Sequence, residues 1–242
     1  MDRLTTLVER FQLTVQSAPL SEANLIAVGD KKGQASLVAF HPRGSAVQYS
    51  PRNVLWSARV VWSGDSNPFL AALPEVAEFD LASDADARAL VQLMHSEALA
   101  DRCGAQSVIS RLGEVLMVRL LRDQIERGTT QTNLLAGMAD PRLSRAIVSM
   151  HDNPGRVWSN ADLADVAGLS LSRFSELFTQ QVGEAPMGYL RRWRLILARQ
   201  DVMRGDRIEA VARRYAYGSA ESFTRAFRAA YGVVPTALRK AV

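Results

Sequence analysis

Two segments near the C-terminus place hydroxyl, guanidinium and carboxylate side chains on one face of a helical repeat. These groups donate and accept hydrogen bonds, and a guanidinium can bond guanine O6 and N7 together. The residue types and their spacing therefore indicate the reading of base edges in a DNA groove. The candidate contact residues are Ser170, Ser172, Arg173, Ser175, Glu176 and Thr179 in the first segment, and Ser219, Ala220, Glu221, Ser222, Thr224, Arg225 and Arg228 in the second.

Each polar face lies in a pattern typical of a helix-turn-helix, Ser159–Phe178 and Ile208–Phe227. Such a unit needs a small residue where its two helices cross, and it favours Gly where the tight turn is left-handed. Ala164 and Gly168 meet both needs in the first unit, and Ala212 takes the small-residue position in the second. Helical spacing predicts that the residues opposite the polar faces are buried. These residues are Phe174, Leu177, Phe178, Phe223, Phe227 and Tyr231.

One helix is predicted between the two units, from Pro186 to Arg204. At ~1.5 Å per residue it is roughly 30 Å long, close to the roughly 34 Å of one turn of B-DNA. A rigid spacer of this length presents both polar faces to the same side of a duplex. The apolar positions predicted to lock it between the units are Tyr189, Leu190, Trp193, Ile196 and Leu197. The positions left for solvent or phosphate are Arg191, Arg192, Arg194 and Arg199.

Two kinds of charged residue on the polar faces keep alternative roles open. Arg225 suits a base contact, which discriminates by ~1–3 kcal/mol, and it suits a phosphate contact equally well. Glu176 and Glu221 could accept a hydrogen bond from cytosine N4, or each could order a neighbouring Arg.

The positive charge of the chain is concentrated in the same region. The net charge is +4, but from Met138 to Val242 there are 16 Lys and Arg against 10 Asp and Glu, and the preceding residues hold 13 against 15. A basic surface attracts duplex DNA by releasing its counterions, so the affinity should fall steeply with salt.

The C-terminal region resembles the AraC/XylS class of bacterial transcription regulators over about 100 residues. The matching positions include Leu163, Ala164, Gly168, Phe174, Phe178, Gly183, Pro186, Tyr189, Leu190, Arg194, Ala198, Arg199, Ile208, Ala212, Ser219, Phe223, Arg225, Phe227, Tyr231, Pro235 and Arg239. The resemblance implies a seven-helix DNA-binding domain that acts on promoters. One departure is Ala216, where this class usually has Gly in the second turn. A left-handed Ala costs on the order of 1 kcal/mol.

The N-terminal residues predict a small sheet or reduced barrel followed by two helices. The six predicted strands are Phe11–Val15, Asn24–Val28, Ala35–Phe40, Ala46–Tyr49, Val54–Trp62 and Val76–Phe79, and Met1–Glu9 is predicted as a leading helix. The two helices are Asp84–Leu99 and Ala105–Arg127. This part is similar to a shortened cupin-type sensor domain, on residues such as Asn67-Pro68, Cys103-Gly104 and Glu114. The wide apolar stripe of Ala105–Arg127 suits burial within its own domain or packing on a second subunit.

The sequence offers little for catalysis, metal binding or cofactor binding. His41, His95 and His151 lie in separate segments, and the single Cys103 excludes an internal disulfide and a zinc site built on several thiolates. No metal and no cofactor are therefore expected. Cys103, between Arg102 and the start of a helix, is a candidate redox sensor, with an inert thiol as the alternative. No membrane span or signal peptide is recognised, so a cytoplasmic protein is expected.

These observations predict an α+β chain with residues 1–128 as a cupin-like sensor and dimerisation domain, 129–139 as a linker and 140–242 as a double helix-turn-helix domain. The expected function is that of a bacterial, non-enzymatic transcription regulator that binds double-stranded promoter DNA in two successive major grooves. A homodimer through the N-terminal domain and residues 105–127 is expected, and RNA polymerase is a candidate partner. The alternatives are a cupin-type enzyme or repair protein with a DNA-targeting module, and an interaction partner of another regulator.

Overall fold

The computed structural model describes residues 4, 11, 13–44, 49–62, 67–100, 102–128 and 131–238. The chain divides into two compact units. One comprises residues 11–130, and the other comprises residues 131–242 together with 1–10. Residues 11–130 are called the sheet unit, and residues 131–242 with 1–10 are called the helical unit.

The sheet unit contains one antiparallel sheet over its described residues, in the order β1-β4-β2-β3-β5. Its strands are β1 Leu13–Ser17, β2 Leu25–Gly29, β3 Ala35–Phe40, β4 Val54–Trp62 and β5 Ala77–Asp80. The register is set by pairs such as Leu13 with Trp62 and Leu25 with Phe40. Small irregularities lie between Ala27 and Gly29.

One face of this sheet is covered by two helices, α2 Ala85–Ala100 and α3 Ala105–Arg127, which follow the short α1 Pro68–Ala72. Strand β4 shows why, since its side chains alternate and Trp56, Ala58, Val60 and Trp62 are buried. A Cβ on Gly113 would lie 2.6 Å from Cγ1 of Val15, so the absence of a side chain lets α3 approach β1 closely.

An ion pair fixes the start of α2 to the middle of α3. The Arg119 guanidinium donates to both carboxylate oxygens of Asp84, at 2.7 Å from Nη2 to Oδ2. This contact lowers the pKa of the Asp84 carboxyl, and the same carboxyl accepts the backbone N–H of Ala87 in the first turn. One carboxylate therefore both caps a helix and orients its neighbour.

The prediction of an N-terminal sheet followed by two helices is confirmed, with one open region. Five of the six predicted strands are present, displaced by no more than two residues at either end. The sixth, Ala46–Tyr49, and the leading helix, Met1–Glu9, lie almost wholly outside the described residues.

The helical unit contains seven α-helices over residues 131–238. They are α4 Leu134–Ala139, α5 Pro141–Asp152, α6 Asn160–Ala167, α7 Leu171–Val182, α8 Pro186–Met203, α9 Ile208–Arg214 and α10 Ala220–Tyr231. Side-chain caps begin most of them. Asp140 accepts from the N–H groups of Arg142 and Leu143 ahead of Pro141, and Ser159 forms a capping box with Asp162.

The predicted linker, residues 129–139, contains helix α4 in the structure. Leu134, Leu135 and Met138 are buried, and a Cβ on Gly137 would lie 2.6 Å from Cγ2 of Val182 in α7. The six residues of α4 therefore pack in the core of the helical unit instead of forming a solvent-exposed linker.

The centre of the helical unit is an aromatic cluster around His151. Its Nε2 lies 2.5 Å from the Tyr189 hydroxyl, and its ring centroid lies 4.2 Å from that of Trp193. Burial lowers the pKa of His151 to about 3 and raises that of Tyr189. The cluster joins α5 to α8 through uncharged groups.

Among the described residues, no helix has the length and apolar character needed to cross a membrane.

The buried His151 predicts a loss of stability in mild acid. An unfolded imidazole has a pKa near 6.5, so the unfolded chain gains a proton that folded His151 takes up only near pH 3. Stability is therefore complete above pH 6.5 and falls as the pH drops from 6.5 toward 3. We expect His151 to contribute a loss of about 2 kcal/mol in the free energy of unfolding between pH 7.5 and pH 5.

Urea unfolding of the full chain, followed by helical circular dichroism, measures this effect at the two pH values. The control is His151→Gln, whose amide does not titrate but can still bond Tyr189. An equal pH dependence in the two proteins would contradict the assignment.

Candidate nucleic-acid interface

The first helix-turn-helix consists of α6, a short turn and α7. Gly168 has φ +69°. The N–H of Gly168 bonds the Asp165 carbonyl at 3.0 Å, and the N–H of Leu169 bonds the Ala164 carbonyl at 3.0 Å. This pair of bonds is the Schellman arrangement that ends a helix at a left-handed residue. Ser170 then caps α7 by accepting the N–H of Arg173.

The second helix-turn-helix repeats the same turn with Ala216 in place of glycine. Ala216 has φ +57°, and it is the only residue other than glycine with a positive φ in the described part of the chain. Its N–H bonds the Arg213 carbonyl at 3.2 Å, and the N–H of Tyr217 bonds the Ala212 carbonyl at 2.9 Å. The expected left-handed alanine is therefore present. This turn has one more residue, Gly218, before the capping Ser219.

The two polar faces are accessible on α7 and α10. Phe174, Leu177, Phe178, Phe223 and Phe227 are buried as predicted, and Tyr231 is half-buried. The exposed candidate contact residues are Ser170, Ser172, Arg173, Glu176, Thr179, Ser219, Glu221, Arg225 and Arg228, whereas Ser175, Ala220, Ser222 and Thr224 are half-buried. Whether any of them contacts DNA stays a prediction.

The acidic residues of the two faces have different surroundings. Glu176 pairs with Arg173 at 2.9 Å, so in this structure it orders a neighbouring arginine. Glu221 lies at the first turn of α10, where a hydrogen bond from Ser219 lowers the pKa of its carboxyl, helped less by the charge of Arg225. Within residues 131–238, Arg225 and Arg228 form no ion pair, so α10 carries the freer positive charge.

The spacer helix α8 carries the two further candidates, Arg191 and Arg192. Both are exposed, and Arg192 pairs with Glu184, at 2.9 Å from Nε to Oε1, and lies over the Tyr189 ring. The five apolar spacer positions are all buried, as predicted.

Two arginines assigned by spacing to solvent or phosphate have other contacts. Arg194 is half-buried and donates to the backbone carbonyls of Pro154 and Arg156 at 2.7 Å each. Arg199 lies 5.4 Å from the centroid of the Tyr231 ring. Sequence spacing missed these roles because the partners lie far away in the chain.

The remaining candidate chemistry lies in separate places. Within the described ranges, no group of three His, Cys, Asp or Glu side chains could hold a metal ion. His41 is buried against Tyr49, at 5.6 Å between ring centroids, and burial lowers its pKa. Cys103 is exposed just ahead of α3. Its role as a redox sensor stays a prediction.

Comparison with known families matches the two units separately. Residues 163–241 match the helix-turn-helix domain family, and residues 19–126 match the cupin family. The helical unit thus contains a helix-turn-helix domain, and strands β2 to β5 of the sheet lie within the residues that match the cupin family. Both were expected from the sequence.

Curated relatives cover part of the chain. A protein described as an AraC-like transcription regulator of Streptomyces lividans is 35% identical over 135 residues, 55% of this chain and 44% of the relative. A helix-turn-helix transcriptional regulator of Haemophilus influenzae is 30% identical over 173 residues, 71% of this chain and 58% of the relative. The chain thus spans about half the length of the curated relatives it matches.

A solved structure matches part of the chain. The crystal structure of an AraC-type transcriptional regulator from Chromobacterium violaceum is 26% identical and covers 42% of this chain and 91% of its own, with a TM-score of 0.40.

The geometry of Ala216 predicts a stabilising substitution. The left-handed backbone destabilises the folded chain by ~1–2 kcal/mol when the residue is Ala. Gly removes this strain, but it also stabilises the unfolded chain by ~0.4–1 kcal/mol because an unfolded Gly has more conformational entropy. We therefore expect Ala216→Gly to raise the free energy of unfolding by up to about 1 kcal/mol. Urea unfolding of the full chain measures the change.

The matched control is Ala226→Gly in the middle of α10. There the backbone is helical, so glycine should destabilise the chain by about 1 kcal/mol. A similar loss in both variants would show that Ala216 carries no strain.

Proposed function

Because residues 163–241 match a helix-turn-helix domain family and the relatives include an AraC-like transcription regulator, we propose that the chain is a bacterial transcription regulator that reads promoter DNA with α7 and α10. The relatives are named as transcription regulators, which supports this proposal. The regulator is proposed to act in the cytoplasm and not as an enzyme, with residues 1–128 as the sensor and dimerisation domain and residues 140–242 as the DNA-binding domain.

The observation that carries the proposal is the repetition of one turn geometry on both sides of one helix. Each unit ends its first helix at a left-handed residue and begins its second with a capping Ser, Ser170 or Ser219. Helix α8 has 18 residues, which at ~1.5 Å per residue is about 27 Å. That length is slightly less than the ~34 Å between major grooves on one side of a duplex.

The arginines of the two polar faces differ in whether they are already held in an ion pair. Arg225 and Arg228 on α10 are exposed and form no ion pair with any of residues 131–238, so they suit contacts to bases or phosphates. Arg173 on α7 must first leave Glu176 to make such a contact. Exposed ion pairs are worth little, about 0.2–1 kcal/mol, so DNA can displace this one.

A homodimer through α3 is a further part of the proposal. Val108 and Val115 are 38% and 50% exposed, seven residues apart, and the half-buried Leu112 lies between them. These three residues form an apolar strip on the side of α3 away from the sheet, at the spacing with which helices pack on one another. Sedimentation of the full chain tests the homodimer, and the measured mass should be twice that of one chain. RNA polymerase is the proposed partner at the promoter.

Selection of bound duplexes from a random pool tests the central proposal. We expect two short elements about one helical turn apart, and an affinity that falls steeply with salt. Arg225→Ala should weaken binding and relax the preference at one base pair by ~1–3 kcal/mol.

The control is Lys31→Ala, which removes the same charge from an exposed position in the sheet unit. Equal weakening of Arg225→Ala on every sequence would make Arg225 a phosphate contact. Failure to enrich any sequence with the unaltered chain would reject the proposed function.

Cys103 is proposed to sense oxidants, because its thiol is exposed just ahead of the N-terminus of α3 and is therefore accessible to an oxidant. A Cys103→Ser chain is expected to lose the oxidant response of a promoter reporter. An unchanged response would show that the thiol is inert.

A further inference from the structure

The loop between α5 and α6 is held by the spacer helix. Arg194 in α8 donates from Nε to the Pro154 carbonyl and from Nη2 to the Arg156 carbonyl, at 2.7 Å each. The loop is itself braced, since Trp158 donates to the Asn153 carbonyl at 3.0 Å. The Arg156 guanidinium lies 4.0 Å from the centroid of the Trp158 ring. The first helix-turn-helix begins directly after this loop. The two helix-turn-helix segments are called the first and second reading units.

The same loop touches the second reading unit. A Cβ on Gly155 would lie 2.3 Å from the carbonyl oxygen of Arg214, which ends α9. Two backbone segments from different units are therefore in direct contact, at a position where any side chain would force them apart. Gly155 has no φ value that requires glycine, so the close approach is the reason for glycine here.

The spacer helix also holds the second unit through a buried carboxylate. Asp201 in α8 is only 1% exposed and accepts from the Tyr215 hydroxyl at 2.8 Å. It also pairs with the guanidinium groups of Arg204 and Arg214. Arg214 makes a second ion pair, with Asp206 at 2.7 Å. The end of α9 is thus fixed to α8 by Arg214 and Tyr215, which share the Asp201 carboxylate.

Together these contacts form a closed ring. The loop binds α8 through Arg194, α8 binds the end of α9 through Asp201, and the end of α9 contacts the loop at Gly155. Gly155, Arg194, Asp201 and Arg214 are called the clamp below. A spacer helix alone would join the two units along one line and would leave the second unit free to rock about it. The ring adds a second connection and removes that freedom.

We propose that the clamp sets the number of base pairs that the protein accepts between the two DNA elements. This inference rests on the proposed function. One inserted base pair moves the second element by about 3.4 Å along the duplex and rotates it about the axis. A clamped pair of reading helices cannot follow that movement without losing contacts, whereas a loosened pair can. Arg194 and Asp201 are therefore positioning residues, which act on DNA only through the placement of α7 and α10.

The experiment measures the affinity of the full chain for its selected duplex and for the same duplex with one base pair inserted between the elements. The spacing ratio is the first affinity divided by the second. We expect a ratio of about tenfold or more for the unaltered chain, because misplacing one helix forfeits base contacts. In Arg194→Ala the ratio should fall by about threefold or more, because two charge-assisted hydrogen bonds are lost.

The matched control is Arg145→Ala. Arg145 also donates to a backbone carbonyl, that of Ala167 at 2.8 Å, but both residues lie in the first half of the helical unit. Its spacing ratio should equal that of the unaltered chain. A variant that is only less stable loses affinity for both duplexes by the same factor. Its spacing ratio therefore equals that of the unaltered chain.

Equal weakening of Arg194→Ala on both duplexes, with an unchanged ratio, would overturn the clamp. If Arg194→Ala does not fold, Asp201→Asn takes its place with the same expectation, since it keeps the shape of the side chain. A chain that selects DNA but tolerates the inserted base pair from the start also rejects the clamp and leaves the proposed function intact. A chain that selects no DNA rejects both.

Discussion

Helix α8 is shared by both reading units, and this sharing constrains everything else in the helical unit. Tyr189 and Trp193 face His151, and Phe178 of α7 lies 5.7 Å from Tyr189 between ring centroids. The other end of α8 carries Asp201. A helix buried on this scale cannot slide without exposing aromatic area, at roughly 25 cal/mol per Å². The distance between the two reading helices therefore follows from core packing.

Polar groups inside this core add geometric selectivity to the hydrophobic effect. Apolar surfaces pack in many ways, but His151 has one partner hydroxyl and Asp201 has three donors arranged around it. Moving either group would leave a buried polar atom unsatisfied, which costs roughly 1–3 kcal/mol. The arrangement seen here is thus favoured over neighbouring ones. In the sheet unit the buried Asn24 acts in the same way, since its side-chain amide donates to the Val60 carbonyl and accepts the Val60 N–H.

The faces that carry the proposed function are less constrained than the core beneath them. Arg225 and Arg228 are exposed, and Arg173 is held only by a surface ion pair. Side chains of this kind can adapt to a base or a phosphate once the backbone is placed. Division into a rigid frame and adaptable tips suits a protein that must hold its geometry and still select among sequences.

Local features were determined by the sequence alone, because they depend on residues within a few positions of one another. The alternation of β4, the buried face of α7, the capping serines and the left-handed Ala216 all follow from neighbouring residues. Helix α4 was missed because six residues are too short to show a helical period. The partners of Arg194, Asp201 and Gly155 were decided only by the tertiary structure. The carbonyl groups that Arg194 binds lie about 40 residues earlier in the chain, and helical spacing specifies which face a side chain occupies but not what folds against it.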